Sequence, residues 1–418
     1  MSLDPHPPPP HIALLTAVHT PFIVNSLVGI ETMSHVTMLL SNAFRPDPRV
    51  GREAKALAQA GHQVTIICWD RQAEMPLQET MDGYQVIRVQ NVRTTYGAGV
   101  RQILCTPRFW RAAAQQVLDL HPDVIHCHDL DTLPAGWWLK QRTDARLIYD
   151  AHEDYPAMMS LYLPMTLVHT LSWLERRLLR RVDATITAST IFADKLRAQG
   201  TAAPVVTVGN FQDLEPFNAV PPEAIAAARA RLNLKPATCT VAYIGGFSRN
   251  RLLLPLIEAA HELPEVTFLL WGDGHQRAEI EVAAAQIPNV HYLGWLPADQ
   301  VPLSMKAVDV IYYCLRPDYP GAIYNAPNTL SHAMAAGRPI IANDVGDLGR
   351  IVRKTECGLL LNEVTPDTIT AAIRKLSDPT YRQQLGAAGR AAAERQYNWT
   401  SASSLLREVY AQLTKEIT

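Results

Sequence analysis

From Met33 onward, apolar runs of strand length alternate with amphipathic segments of helical length. In the first half, the predicted strands are HVTMLL (35–40), QVTIICW (63–69), DVIHCH (123–128), RLIYD (146–150) and ATITAS (184–189). These strands are hydrophobic almost throughout, which is typical of a parallel sheet covered on both faces. The pattern therefore predicts α/β architecture.

A second set of strands follows an interruption in this pattern. The chain loosens over 209–228, where prolines break the periodicity, and restarts with TVAYIGG, VTFLLWGDG, NVHYLGW, DVIYYCL and RPIIAND. We place a boundary there and predict two doubly wound, Rossmann-like domains, 33–212 and 213–395. Two such domains facing each other enclose a cleft, and their ligands bind beyond the carboxyl ends of the strands.

Composition narrows the class of protein. The chain has 418 residues, of which 48% are hydrophobic and 19% charged, and its formal net charge is -2. These values fit a globular protein and give no basic footprint for nucleic acid. The six cysteines are scattered without metal-ligand spacing, which favours reduced thiols and a cytoplasmic location.

The first 32 residues raise the question of a signal or membrane segment, because 11–30 are largely apolar. The first Lys or Arg is Arg45, so a cationic leader region is missing, and His19, Pro21 and Asn25 interrupt the apolar stretch. We therefore expect residues 1–32 to be an extension outside the fold, either a tail or the product of a misassigned start.

Residues that carry chemistry cluster just past the predicted strand ends. Glycines there let backbone amides approach a phosphate, and a helix amino terminus adds partial positive charge. The stretch PNTLSHAMAAGRPIIAND predicts a helix from Pro327 to Gly337 with three polar side chains on one face, so a phosphorylated ligand is expected. The residues at strand ends and on this face are Asp47, Arg49, His128, Asp129, His152, Glu153, Gly245, Gly246, Gly272, Asn328, Thr329 and His332.

Five segments in this order resemble retaining glycosyltransferases of family 4, which have the GT-B fold. They are DPRVGREAKALAQAGHQVTII, DVIHCHDLDTLPAG, YDAHEDYP, YIGGFSRNR and PNTLSHAMAAGRPIIA. The resemblance covers residues 33–415 and includes the family's C-terminal helix crossing back to the first domain, here 396–418. It implies transfer of a sugar from a nucleotide-diphosphate donor to an acceptor hydroxyl, with retention and without a bound metal or other cofactor.

On the acceptor side, His128 matches the family's histidine facing the donor sugar, and we predict His128 and Asp129 to be catalytic. His126, on the same side of the strand, is expected to be a core residue. His152 and Glu153 match the segment lining the acceptor side, although they could instead tie a loop to a helix start. Asp47 and Arg49 complete this side; Arg49 either reaches a phosphate or forms a surface salt bridge.

On the donor side, the family carries two basic residues after its first glycine, and here Arg251 is expected to hold the diphosphate, with Arg249 close by. Amides of Gly245, Gly246 and Gly272 would assist. The family's two glutamates correspond to Tyr324 and His332; Asn328 is retained, and Thr329 replaces a lysine. His332 is then a changed ribose contact, a sign of an unusual donor, or evidence that donor binding is lost.

The expected function is glycan or glycoconjugate synthesis from a UDP-sugar, with GDP-mannose as the alternative donor and a glycan or lipid-linked acceptor. Basic, aromatic segments at 101–111 and 171–181 are interpreted as ordinary domain surface, with contact to the inner face of a membrane as the alternative hypothesis. Two rival functions stay open: a degenerate homologue that binds without catalysis, and a nucleotide-sugar epimerase or phosphorylase on the same fold.

Overall fold

The first sheet of the protein contains the predicted strands of the N-terminal half. The computed structural model describes residues 33–45, 47–95, 100–235, 238–326 and 328–415. Within them, the first sheet runs in the order β3-β4-β2-β1-β5-β6-β7-β8, parallel except between β3 and β4. Its strands are β1 His35–Leu40, β2 Gln63–Trp69, β3 Gln78–Met81, β4 Tyr84–Val89, β5 Val124–His128, β6 Arg146–Ala151, β7 Ala184–Thr187 and β8 Val205–Thr207.

Helices cover both faces of this sheet. They begin where the sequence provides caps: the Asp47 carboxylate accepts from the amides of Arg49 and Val50, and the Ser189 hydroxyl accepts from the amide of Phe192. The helices are α1 Pro48–Gln59, α2 Val100–Leu120, α3 Leu133–Lys140, α4 Tyr155–Met159, α5 Met165–Leu179 and α6 Thr190–Ala198.

The β3–β4 hairpin is an element that our strand prediction lacks. Asp82 and Gly83 form its two-residue turn, and both have positive φ, 44° and 90°. An Asp-Gly pair suits this turn because glycine adopts positive φ without strain. The signal is present in the sequence, but the flanking strands alternate in burial and are short.

The second sheet forms the C-terminal half. Its order within the described residues is β11-β10-β9-β12-β13-β14, and its paired strands are parallel. The strands are β9 Thr240–Ile244, β10 Thr267–Trp271, β11 Val290–Tyr292, β12 Val310–Tyr313, β13 Ile340–Asn343 and β14 Gly358–Leu361. The helices are α7 Glu215–Asn218, α8 Pro222–Arg231, α9 Leu254–Ala259, α10 Arg277–Ala285, α11 Val301–Ala307, α12 Asn328–Ala336, α13 Gly346–Thr355, α14 Pro366–Leu376, α15 Pro379–Arg395 and α16 Trp399–Lys415, with 3₁₀ turns at Ala260–Glu262, Ala298–Gln300 and Ala322–Tyr324.

Helix α16 packs against the first sheet although it follows the second in sequence. Leu406, Val409 and Tyr410 lie in one buried cluster with residues of β1 and β2. The amide of Trp399 donates to the carbonyl of Gln212 at 2.9 Å, which fixes the start of this helix beside the connection between the sheets.

The α/β prediction with two Rossmann-like domains is confirmed. The predicted extension 1–32 lies outside the described residues. Strand order reverses at β1, between β2 and β5, and at β9, between β10 and β12; such switch points open a crevice at the carboxyl ends of strands. In the described part of the chain, no helix is long and apolar enough to cross a membrane.

We predict that the contact of α16 with the first sheet contributes to global stability. Leu406 is fully buried, so Leu406→Ala should lower the free energy of unfolding by about 2–5 kcal/mol, the usual loss for a buried leucine. Leu405, 40% exposed on the same helix, is the matched control, and Leu405→Ala should cost less than about 1 kcal/mol. Urea unfolding measures both, and equal losses would contradict this packing.

Candidate functional site

The cleft floor of the first domain is built at the ends of β5 and β6. These strands are parallel neighbours, and their register places His128 opposite Asp150. Residues that follow each strand therefore meet at one edge of the sheet: Asp129 after β5 and His152 after β6. The predicted residues from two motifs are thus brought together by strand pairing.

Asp150 is fully buried and surrounded by positive and polar groups. Its carboxylate lies 2.9 Å from Nη2 of Arg49, 3.1 Å from Nε2 of His152 and 3.4 Å from Nδ1 of His128. Burial alone would raise the pKa of Asp150, but Arg49 and His152 outweigh that effect and hold it well below its usual range. Asp150 is therefore a permanent anion under the floor.

His152 is correspondingly a cation. Burial disfavours the charged ring, but Asp150 and Asp129 raise the pKa of His152 to about 10. Its Nε2 lies 3.1 Å from Asp150 and 3.0 Å from Nδ1 of His128, and its Nδ1 lies 3.7 Å from Asp129. The imidazolium bridges the buried carboxylate and the one nearer the cleft.

Asp129 is the more accessible carboxylate of the floor, with 28% of its side chain exposed. It has positive φ, 62°, and its Oδ1 accepts from the amide of His152 at 3.0 Å. Burial and the negative charges of Asp131, Glu153 and Asp150 raise the pKa of Asp129 to about 7, against the effect of His152. Glu153, next to His152, is exposed.

The rings of His126 and His128 are stacked, with centroids 4.4 Å apart, so the expectation that they share one side of the strand holds. His126 is a core histidine, as expected: it is fully buried, and its Nδ1 lies 2.7 Å from the hydroxyl of Tyr410. His128 is only 1% exposed, and its Nδ1 lies 3.4 Å from the buried Asp150 and 3.0 Å from Nε2 of His152. The catalytic assignment of His128 stays a prediction.

The structure also corrects the placement of Arg49. We expected it in an exposed loop, but it lies in the first turn of α1 and is 7% exposed. Its guanidinium contacts Asp150, Glu53 at 3.1 Å and the carbonyl of Val208 at 3.1 Å. Arg49 therefore neutralises buried carboxylates, and its ion pairs are buried instead of forming a surface salt bridge.

Asp47, by contrast, lies near open space. Besides capping α1, it lines a cavity of about 380 Å³ at the ends of β1 and β2, together with Ala43, Pro48 and Trp69. The cavity walls also include Asn42, Arg45, Asp70, Arg71 and Gln72. A wall with both charge signs and amides suits a polar, hydroxyl-rich ligand.

Four buried side chains under the floor have ligand atoms within 4.8 Å of one another: Glu53, His126, His128 and Asp150. Histidine and carboxylate are the ligand types of transition metals. Arg49 lies 2.9 Å from Asp150 and 3.1 Å from Glu53, so the chain already supplies a cation to both carboxylates. Burial and Asp150 raise the pKa of Glu53 to about 8. Glu53 is therefore protonated at neutral pH and adds no second negative charge to that of Asp150.

Across the cleft, the loops after β9 and β10 lie in close contact. The Gly245 amide donates to the carbonyl of Trp271 at 3.0 Å, and a Cβ on Gly272 would lie 2.1 Å from the Gly245 carbonyl. Glycine at 272 is thus required by packing. Gly246 is exposed, and a Cβ there would meet only the Asp273 carbonyl at 4.0 Å, which leaves room for a ligand.

Arg251 lies in the segment after β9 that also holds Gly245 and Gly246. Its guanidinium carbon is 4.8 Å from the ring centre of Tyr313. Its Nε and Nη1 atoms are buried and have no hydrogen-bond partner among the described residues. A buried guanidinium with free N–H groups is expensive unless an anion joins it, which makes this position an anion-binding candidate.

Tyr319 lies near charged groups of both halves of the chain. Burial and the nearby Tyr162 and Glu153 raise its pKa, while Arg249 and Arg251 act in the opposite direction.

Helix α12 ends as expected, with Gly337 at positive φ of 66°, while Pro327 lies outside the described residues. The three polar residues of α12 point to different partners. Thr329 donates to the carbonyl of Ile244 at 3.2 Å, and Asn328 accepts from Gln212 at 3.3 Å. His332 packs 6.1 Å from the ring of Phe217, and burial with the nearby Arg52 lowers its pKa to about 4.

Tyr324 occupies the other position that carries a family glutamate. Its ring lies 5.2 Å from Phe192 and 5.0 Å from Nζ of Lys195, both on α6 of the first domain. Tyr324 thus joins the two domains through an aromatic and cation–π contact.

Three residues of the site escape prediction from the sequence. Asp150 lies within the motif YDAHEDYP, but it ends a hydrophobic strand, and nothing in the sequence distinguishes it from other residues at strand ends. Tyr410 contacts His126 across 284 positions, and Arg52 approaches His332 from another domain. The sequence carries no local signal for either long-range contact.

The segments 101–111 and 171–181 are the candidates for membrane contact. In 171–181, some apolar side chains pack into the core and others are exposed. Leu178 is buried, and Leu171 and Leu174 pack against the core, as in ordinary domain surface. Trp173 is 55% exposed, and Arg177 lies 5.7 Å from its ring. In the first segment, Trp110 donates to the carbonyl of Asp131 at 2.7 Å.

Comparison with known proteins follows the same division into two halves. Residues 46–210 match the glycosyl transferase 4-like domain, and residues 238–378 match glycosyl transferases group 1. The chain is 22% identical to phosphatidyl-myo-inositol mannosyltransferase from Mycobacterium leprae (strain TN), over 85% of this chain and 90% of that protein.

Solved structures agree with the fold. Sucrose-phosphate synthase from Thermosynechococcus elongatus superimposes with a TM-score of 0.77 at 22% identity, over 91% of this chain and 99% of that one. Anabaena HepE in complex with UDP and glucose gives a TM-score of 0.70 at 18% identity, over 90% of this chain and 99% of that one.

Proposed function

Because the chain belongs to the family 4 glycosyltransferases of the GT-B fold, we propose that it transfers a hexose from a UDP-sugar to an acceptor hydroxyl, with retention and without a metal. That it is a glycosyltransferase using a nucleotide-sugar donor follows from both matched domains and from its relatives. The base, the stereochemistry and the acceptor belong to the proposal.

The observation that carries the proposal is Arg251. Its buried Nε and Nη1 lack hydrogen-bond partners among the described residues, and it lies in the segment after β9 that also holds Gly245 and Gly246. A diphosphate would supply the missing acceptors, and the exposed amide of Gly246 would assist. The guanidinium is permanently charged, so it fills the role for which other enzymes use a metal ion.

The reaction then needs few groups. The bond between the anomeric carbon and the diphosphate oxygen breaks, the acceptor oxygen bonds to the same face of that carbon, and the acceptor proton passes to the departing diphosphate oxygen. The charge that develops on the departing diphosphate is stabilised by Arg251. Asp129, whose side chain is 28% exposed at the floor of the first domain, would accept a hydrogen bond from the acceptor hydroxyl.

The uridine base is supported by HepE, whose structure contains UDP and glucose. A mannosyl donor is the rival, because the relative from Mycobacterium leprae is a mannosyltransferase. The cavity beside Asp47 is our candidate site for the part of the acceptor molecule that does not react. Its charged and amide side chains can hydrogen-bond hydroxyl groups, which favours a glycan or a glycolipid headgroup.

We predict that Arg251→Ala weakens UDP binding about 10- to 100-fold, the usual loss for a hydrogen-bonded charged pair. Arg249 is exposed two positions away and gives the matched control; Arg249→Ala should change affinity less than about threefold. Calorimetric titration with UDP, GDP and ADP, in EDTA and then with magnesium, measures both variants.

Binding of UDP alone and without metal supports the proposal. Equal affinity in the two variants would remove Arg251 from the site. If none of the three nucleotides binds at millimolar concentration, the degenerate binding protein becomes the better account. Conversion of a free nucleotide sugar without acceptor would instead favour an epimerase.

His332 gives a second prediction. A neutral imidazole accepts one hydrogen bond where a carboxylate accepts from both ribose hydroxyls, so His332→Glu should strengthen UDP binding by about 1–3 kcal/mol. His332→Gln, which is neutral, is the control and should give little gain. Calorimetry of both variants tests this; weaker binding in His332→Glu would show that the ribose lies elsewhere.

We also propose that the exposed basic face of α5 rests on anionic lipid. Replacing both Arg176 and Arg177 by Ala should weaken binding to phosphatidylglycerol vesicles by roughly 2 kcal/mol, about 30-fold. The matched control replaces the exposed Arg353 and Lys354 of α13. Cosedimentation measures both, with phosphatidylcholine vesicles for comparison; equal binding of the two double variants would leave α5 as ordinary surface.

A further inference from the structure

The buried groups beneath the cleft floor form a chain of contacts from the C-terminal helix to Asp129. The contacts are hydrogen bonds except at Nε2 of His126, which has no hydrogen-bond partner among the described residues and only approaches Asp150. The Tyr410 hydroxyl of α16 lies 2.7 Å from Nδ1 of His126. Nε2 of His126 lies 3.7 Å from Asp150, Asp150 lies 3.1 Å from His152, and the amide of His152 donates to Asp129 at 3.0 Å. These groups come from α16, from β5 and β6, and from the segments that follow β5 and β6.

We infer that Asp150 and Tyr410 are positioning residues for the cleft floor: Asp150 orients His152 and through it the Asp129 carboxylate, while Tyr410 orients His126 against Asp150. This inference rests on the proposed function only in giving Asp129 a role toward the acceptor. The positioning itself is a property of the unliganded protein.

Asp129 is held at three points, which argues for precise placement. Its own amide donates to the Asp150 carbonyl at 2.9 Å, its Oδ1 accepts from the His152 amide, and its Oδ2 lies 3.7 Å from the His152 ring. Its backbone has positive φ, which is uncommon outside glycine and persists where surrounding contacts enforce it. Releasing His152 from Asp150 should therefore loosen Asp129.

The role of Tyr410 follows from which atom donates and which accepts in its hydrogen bond with His126. If its hydroxyl donates to Nδ1 of His126, the ring proton of His126 lies on Nε2, directed at Asp150. His126 then adds a third dipole to those of Arg49 and His152 around the same anion. A phenylalanine at 410 would leave Nδ1 without its donor and free the tautomer to change.

The charge of His152 supports the assignment to Asp150. The ionisable groups around this ring come from α1, β5 and β6 and from the loop after β5. They are Arg49, Glu53, His126, His128, Asp129, Asp131 and Asp150. Asp150 is the strongest of those that raise the pKa of His152, while burial and Arg49 lower it.

The first test is the protonation state of His152 in Asp150→Asn, measured by NMR on protein with labelled histidine and assigned with His152→Gln. In the wild type, the ring should stay protonated from pH 6 to 9, below its pKa of about 10. In Asp150→Asn the pKa of His152 should fall by about two pH units, so the His152 ring should lose its proton as the pH rises from 6 to 9. An unchanged titration overturns the role of Asp150.

The second test avoids the risk that Asp150→Asn leaves Arg49 buried without its partner and fails to fold. Tyr410→Phe removes only a hydroxyl. The matched control is Tyr397→Phe, since Tyr397 is also buried and its hydroxyl has no partner among the described residues. Nitrogen chemical shifts of His126 report its tautomer, and turnover is measured with a UDP-sugar.

We expect Tyr410→Phe to change the His126 shifts and lower kcat about three- to tenfold, with KM for the donor unchanged, and Tyr397→Phe to do neither. Equal behaviour of the two variants overturns the role of Tyr410. A protein in which the shifts change as expected but no UDP binds would uphold the positioning chain and reject the transferase. The two conclusions therefore fail separately.

Discussion

The buried anion Asp150 is the constraint around which the first domain is arranged. A carboxylate without access to water is tolerated only when charges of opposite sign and hydrogen bonds surround it. Arg49 arrives from α1, His128 from β5, and His152 from the loop after β6, so the anion joins three elements at one end of the sheet. Removing any one of these partners would leave uncompensated buried charge. The first domain therefore keeps charged groups beneath the floor of the cleft as well as at its surface.

The second domain presents the opposite situation. Here Nε and Nη1 of the half-buried cation Arg251 have no hydrogen-bond partner in the described part of the chain. Arg251 follows β9, where glycines bring two backbones together and leave Gly246 open. The first domain compensates its charges internally, whereas the second leaves one to be compensated by a ligand. This asymmetry supports a donor site on the second domain and an acceptor site on the first, joined by contacts such as that of Tyr324 with Phe192 and Lys195.

The sequence predicts the fold well because the parallel strands are hydrophobic throughout and their spacing is regular. It predicts which loops hold polar residues, because those loops follow strand ends. It fails for Arg49, whose partner Asp150 is 101 positions away, and for the depth of His128, because strand alternation gives a side of the sheet but not the distance from the cleft. Tyr410 is beyond such reasoning, since only the return of α16 to the first sheet brings it to His126. The hairpin at Asp82 and Gly83 was readable from its turn, but its strands are short and partly exposed.

The most direct test of the account is a crystal structure of the protein with UDP, grown in EDTA. We predict the diphosphate within hydrogen-bonding distance of the Arg251 guanidinium and the Gly246 amide, the ribose beside His332, and density for protein groups alone around the phosphates. A diphosphate bound away from Arg251, or uridine seated in the first domain, would contradict the account.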